Sequence, residues 1–301
     1  LKASNFKQSL VLNLQSLKMS QRTKKISAKH GVFQFCINDE FIGLALNQYG
    51  EFSEIELSIM NKFIKKNDIV FDIGSNIGAF TVPFAKKVGI NGKVFAFEPQ
   101  PFIYNILKKN IELNRICNVK LFKNGVGEKK KTIKTDEMDY SYTGNFGGFT
   151  LTSKYLNTHC GIVKETKKNS VNIVKLDDFL NLKKCNFIKI DVEYMEMAVL
   201  KGGKNFLKKN RPIIWIENHW KFPNQINKYL LEIGYNPYWA ITRIYNPKNY
   251  FINDKNIYDK ICTTNTLAIP DNKIIEYESL GLTKVFNSFT KPTKVVIESL
   301  N

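Results

Sequence analysis

Apolar residues in this chain fall into short unbroken runs separated by stretches with helical spacing, and the two patterns alternate. Ile69, Val70 and Phe71 form one run and residues 94–97 another. Neither shows polar alternation, which suits parallel strands buried on both faces. Between and after them, residues 77–88 and 102–113 place apolar side chains at the spacing of helices packed on a sheet. Pro83 inside the first of these predicts a kink. Residues 119–122, 187–190, 212–216, 235–242 and 264–269 read as five further strands, and residues 195–209, interrupted near Gly202-Gly203, and 224–233 as helices. The strand–helix order predicts an α/β fold, a doubly wound and mostly parallel seven-stranded sheet.

Upstream, residues 31–38 and 41–47 alternate enough for a hairpin turning at Asp39-Glu40, and residues 54–66 form an amphipathic helix pattern. Leu10, Leu12, Leu14 and Leu17 hint at a helix before them. Residues 129–169 are polar and glycine-bearing, with GNFGGF at 144–149, and are expected to form a lid or acceptor-contact loop. Residues 171–176 read as a strand, and LDDFL at 176–180 as a short helix with acids in its first turn. Three parts result: a basic N-terminal extension or linker with strands (1–45), a main domain (46–271) and a C-terminal tail (272–301).

Composition narrows the class. At 301 residues and 43% hydrophobic, the chain can bury one large core. Its apolar runs fall short of the ~18 to 20 residues of a membrane helix, and no signal-type segment opens it, so a cytoplasmic location is expected. The net charge of +18 raises a nucleic-acid partner. Beyond residues 1–30, however, the lysines lie in short runs at helix ends and in loops, as a solvated surface would have them. Residues 1–30 hold seven basic residues and no acid, and Leu1 is not an initiator methionine, so a piece of a longer multidomain chain is expected. Five scattered cysteines without a C-x-x-C pair read as reduced thiols.

The chemistry concentrates in D-I-G-S-N-I-G, residues 72–78. Gly74 and Gly78 bracket a turn that brings a ligand to a helix N-terminus, and Glu98 follows at roughly the ~20-residue offset at which an acid meets a ribose. A dinucleotide turn, G-x-G-x-x-G, needs a second glycine where this chain has Asn76. Asp72 would repel a pyrophosphate and suits a cation bearing an amine and a sulfonium, S-adenosylmethionine. The strand ends bring Asp72, Glu98, Asn124, Asp191 and Glu217 to one rim, where open α/β sheets bind ligands. Cofactor contacts are expected from Asp72, Gly74, Ser75, Asn76, Gly78, Glu98, Pro99, Asn124 and Asp191. Asp191, Glu217 and His219 are left as the catalytic set. A hydroxyl acceptor needs a general base, His219 or Asp191, or a hard divalent ion such as Mg²⁺ or Mn²⁺ on Asp191 and Glu217.

The strand-end acid, glycine turn and second acid resemble the Rossmann-like class I methyltransferases. DIGSNIGAF with FEPQP is similar, more narrowly, to the FkbM family. The run IKIDVEYME resembles that family's K-x-D-x-E-G-x-E through Lys189, Asp191, Glu193 and Glu196, while Tyr194 occupies the glycine position. The resemblance spans roughly residues 50–270. It implies an S-adenosylmethionine-dependent O-methyltransferase acting on a hydroxyl of a sugar, glycan or related small molecule, with Asn124 against the adenine. Tyr194 would then narrow the pocket or offer a stacking face to a sugar ring. The alternative is an RNA 2′-O-methyltransferase, which fits the charge and would use Asp191, Glu217 and Lys201.

Overall fold

The computed structural model describes residues 22–152, 163–182, 184–219 and 221–300. The leucine pattern at residues 10–17 lies outside them. The chain opens with an antiparallel hairpin, β1 (Thr23–Ala28) and β2 (Gly31–Cys36), followed by helices α1 (Ile42–Tyr49) and α2 (Glu54–Phe63). Next come β3 (Ile69–Ile73), α3 (Thr81–Val88), β4 (Lys93–Phe97), α4 (Pro101–Leu113) and β5 (Val119–Phe122). Strands β6 (Gly125–Val126), β7 (Lys131–Met138) and β8 (Val163–Val174) form a small separate sheet in the order β6-β8-β7. The chain closes through β9 (Phe187–Ile190), α5 (Glu196–Gly202), α6 (Lys204–Asn210), β10 (Ile213–Glu217), α7 (Gln225–Glu232), β11 (Tyr235–Arg243), β12 (Cys262–Pro270) and β13 (Thr283–Lys284).

The main sheet has eight strands in the order β13-β11-β12-β10-β9-β3-β4-β5. Strands β10, β9, β3, β4 and β5 pair in parallel; β12 runs antiparallel to both of its neighbours, so β11 points with the parallel set. Both faces are covered, as the unbroken apolar runs require. On one face the rings of Phe71, Phe95, Phe97 and Phe122 stack across three adjacent strands, with Phe179 edge-on to all four. On the other, Val70, Phe84, Val88 and Trp215 pack with α2 and α3. Chain order departs from β3 in both directions, through β4 and β5 on one side and β9 and β10 on the other. The carboxyl ends of β3, β4, β9 and β10 therefore flank a crevice at the switch point. Among the described residues no helix is long and apolar enough to cross a membrane.

Several expectations change. Residues 42–49 form a helix, not a strand: Ile42, Ala45, Leu46 and Tyr49 are its buried side chains, with Gly43 buried beside them, a 3.6-residue period hidden under a partial alternation. Helix α3 starts at Thr81, so Pro83 lies in its first turn, where its missing N–H costs nothing. Residues 129–169 hold β7 and the start of β8 rather than a bare loop. The proposed boundaries at 45 and 271 do not separate independent pieces. Phe33 and Phe35 are buried with Ile77, Val82 and Ile106, and the Asn110 and Asn114 side chains of α4 bond the β2 backbone at Gln34 and Val32. At the other end, β13 is the eighth strand of the sheet, and Leu282, Val285 and Val296 are buried.

Gly74 sits where β3 meets β9. Its φ is +81°, and a Cβ there would come within 1.7 Å of the Asp191 carbonyl oxygen. Only glycine meets both conditions. Gly74→Ala is expected to destabilise the fold by at least ~2 kcal/mol, seen as a lower urea midpoint at unchanged m-value. An unchanged midpoint would mean that the β9 end yields freely.

Candidate functional site

A cavity of about 300 Å³ opens in the crevice. Its floor is the β3 turn, and its backbone donors are already engaged. Gly74 and Ser75 N–H donate to the Phe97 carbonyl and Gly78 N–H to that of Ser75. Asn76 N–H donates to Glu98 Oε2 at 3.0 Å, and Ile77 N–H to the Asn76 side-chain oxygen at 2.7 Å. Asn76 holds φ +49°, the left-handed region asparagine tolerates, which lets its side chain turn back onto Ile77. An anion would need those amides, so the turn offers no phosphate cradle.

Glu98 is buried, its Oε1 accepting from Gln100 N–H at 2.8 Å. Burial pushes its carboxyl up to about 7, partly offset by those two amide bonds. Gln100 in turn donates to the Phe146 carbonyl at 3.0 Å. This ties the glycine-bearing segment, a 3-10 turn at Phe146–Gly148, against the β3–β4 end of the cavity. Gly147 lines the cavity there, its Cα side facing the Asn76 amide. Asn124 also lines the cavity, its amide reaching the Asn172 carbonyl at 3.2 Å.

Lys189, on β9, is 1% exposed. Its ammonium lies 3.0 Å from Asp191 Oδ2, 3.3 Å from the Gly74 carbonyl and 3.8 Å from Asp72 Oδ1, over the face of Phe80. Burial works against the charge, but Asp191, Asp72 and Glu56 outweigh it and hold the pKa above the ordinary lysine value. Asp72 is fully buried beneath the turn, where Thr81 donates to it at 2.5 Å, and it does not line the cavity. It therefore supports the turn rather than facing a ligand. Gly78 does not line the cavity either; a Cβ there would strike Leu107 at 2.8 Å, so its glycine serves helix packing.

The β9–β10 end is acidic. Asp191 is paired with Lys189. The turn beyond it holds Glu193 and Tyr194 at φ +49° and +72°, pinned by Val192 N–H to Glu196 Oε1 and by the Thr150 hydroxyl to the Glu193 carbonyl. A positive φ at Tyr194 is the conformation that a glycine would take without strain. The Tyr194 ring does not line the cavity. It stacks on His219 at 4.3 Å and 19°, with Lys221 Nζ above it at 5.8 Å. His219 Nε2 lies 3.9 Å from Glu217 Oε2. Burial, then Asp191, Glu193 and Glu196, push the Glu217 carboxyl well above the usual range. Burial and the neighbouring Asp191 and Glu196 push Glu193 up to about 8. Glu193, Glu217 and His219 each bring one donor atom within 4.8 Å of the others.

The structure thus brings Gly74, Ser75, Asn76, Glu98, Pro99, Asn124, Asp191, Glu217 and His219 to one cavity. The donor atoms that converge are those of Glu193, Glu217 and His219, while Asp191, expected to share a metal with Glu217, is paired with Lys189. Sequence reasoning assigned no site role to Glu56, Gln100, Lys189 or Glu193, nor to Thr263, Thr264 and Asn265 on β12, which also line the cavity. Glu56 comes from α2, where Trp215 Nε1 donates to it at 2.8 Å and Ser53 at 2.8 Å. An acid between Ile55 and Leu57 was the available signal.

The description "Methyltransferase FkbM domain" belongs to a family model that matches residues 72–237, more than half of the chain. Methyltransferase 1 of Beauveria bassiana is 31% identical over 146 residues, which is 45% of this chain and 58% of that protein. Methyltransferase sdnD of Sordaria araneosa is 27% identical over 165 residues, 46% of this chain and 61% of that one. The chain thus matches about three fifths of the length of these curated relatives. Among solved structures, methyltransferase FkbM from Methylobacillus flagellatus KT is similar over 67% of this chain and 43% of that one, at 17% identity and a TM-score of 0.42. A mostly parallel sheet that reverses only at β12 and β13, a glycine turn after β3 and an acid after β4 give the Rossmann-like class I arrangement around the region the family model matches. By the family match the chain belongs to the methyltransferase FkbM domain family.

Proposed function

We propose that the chain is an S-adenosylmethionine-dependent O-methyltransferase acting on a hydroxyl of a sugar, glycan or related small molecule. The observation that carries this reading is one cavity joining an amide-saturated, acid-flanked glycine turn to the Glu217–His219 pair. Saturated amides and surrounding carboxylates disfavour a pyrophosphate and favour a cation. Gly74, Ser75, Asn76, Glu98, Pro99 and Asn124 would hold S-adenosylmethionine, with Glu98 accepting from ribose hydroxyls. When bound, it supplies an electrophilic methyl group on a sulfonium.

The rest falls to this chain's residues. Lys189 fixes Asp191 and the β3 turn in one frame, so the two ends of the cavity keep a constant separation. Alignment of that kind is the main contribution an enzyme makes to an in-line displacement. Thr263, Thr264, Asn265 and the acids of the β9–β10 end give the acceptor side a hydrogen-bonding lining suited to a polyhydroxyl ring. The hydroxyl proton is lost at the Glu217–His219 end, since a neutral alcohol is a poor nucleophile. The RNA reading would place Lys201 beside Asp191 and Glu217, but Lys201 is exposed on α5 and does not line the cavity.

Glu98→Ala should weaken S-adenosylmethionine binding at least ~10-fold in calorimetry, about 1.4 kcal/mol. Because the Glu98 acid form persists up to about pH 7, wild-type affinity should fall as pH drops through 7, when the acceptor carboxylate is lost. Equal affinity in the variant would remove Glu98 from the site. For the acceptor, methyl-labelled cofactor offered with glycans, RNA and DNA should label the glycans. Label appearing in nucleic acid alone would sink the sugar reading.

A further inference from the structure

Resting on the reading that the β9–β10 end of the cavity receives the acceptor, we propose that Glu193, Glu217 and His219 together bind one divalent first-row cation. The donors come from separate places, Glu193 in the turn after β9, Glu217 at the last position of β10 and His219 just past it, yet they converge within 4.8 Å. Glu217 Oε2 and His219 Nε2 are 3.9 Å apart, too far for a hydrogen bond. Two ligands on one ion with bonds of ~2.1 Å stand about 3 Å apart when adjacent and about 4.2 Å when opposite, so the observed separation falls within the span that one ion can bridge.

Glu217 Oε2 is shielded from solvent and accepts no hydrogen bond from any described residue. A carboxylate oxygen in that position is costly until a donor or a cation meets it. Among the described residues no lysine or arginine pairs with Glu193 or Glu217, whereas Asp191 has Lys189. The local positive charge is therefore already spent on the residue outside the donor set. Tyr194 lies flat on the imidazole and fixes its plane, which is the part a supporting residue plays around a metal ligand.

The donor set also selects the ion. Two carboxylates and one imidazole suit Mn²⁺, Fe²⁺ or Zn²⁺ better than Mg²⁺, which favours oxygen alone. Three protein ligands leave positions open, and an alcohol oxygen taking one of them has its pKa lowered, its proton passing to water.

The test is a titration of the chain with MnCl₂ in the absence of methyl donor, followed by calorimetry and by loss of the free Mn²⁺ electron paramagnetic resonance signal. One ion per chain is expected. Binding should weaken at least ~10-fold in Glu217→Gln and in His219→Gln, and less in Asp191→Asn, with circular dichroism confirming that each variant folds. Absence of binding, equal binding by Glu217→Gln, or a larger loss in Asp191→Asn than in His219→Gln overturns the assignment. S-adenosylmethionine affinity and glycan labelling on the same samples keep the two readings apart. Labelling that continues undiminished in EDTA refutes the cation site and leaves the methyltransferase reading standing. Mn²⁺ bound by these residues without any hydroxyl labelled refutes that reading and leaves the site.

Discussion

One buried ammonium organises the centre of this molecule. Lys189 sits on a strand flanked on both sides by parallel partners, almost wholly out of water, and its ammonium joins the ends of two strands: Asp72 and the Gly74 carbonyl at the end of β3, and Asp191 at the end of its own strand β9. A lone charge in that position would be expelled or neutralised, so its retention requires the acids beside it. The reverse also holds. Asp72 is fully buried, and Lys189 and the Thr81 and Ser75 hydroxyls meet its charge. The strand ends are thus tied by electrostatics where backbone pairing stops, and the cavity takes its shape from that tie.

The same economy of donors sets what the cavity can take. Every amide of the β3 turn is consumed internally, by Phe97, Ser75, Asn76 or Glu98, and the deeply buried Lys189 is consumed by Asp72 and Asp191. What remains around the space is carboxylate: Glu98 near the turn, Glu193 and Glu217 at the far end. Where these acids are ionised they draw positive charge to both ends of the space, with a histidine beside those at the far end.

The parts legible in the sequence were those with a local pattern. Unbroken apolar runs marked the core strands, and the Asp-x-Gly turn with its following acid marked one end of the cavity. Where two periods overlap the pattern misled, as at residues 42–49, whose helix buries Ile42, Ala45, Leu46 and Tyr49. Strand β13 carries only two residues and no pattern of its own; it is in the sheet because β11 offers an edge. The role of Asp72 was misjudged because a strand-final acid can point up toward a ligand or down toward a buried lysine, and only the pairing of β3 with β9 decides which. Glu56 and the β12 residues Thr263 to Asn265 reach the cavity from distant chain segments, and no spacing rule connects them to it.

The account stands on the sign of charge that the glycine-turn end accepts. The most direct test titrates the folded chain in a calorimeter, at pH 8 and low salt, with S-adenosylmethionine and separately with NAD⁺, whose pyrophosphate needs the amides that Glu98 and Asn76 occupy. Saturable binding of S-adenosylmethionine with no heat from NAD⁺ is the predicted result. Binding of NAD⁺ as tight as or tighter than that of S-adenosylmethionine would contradict it.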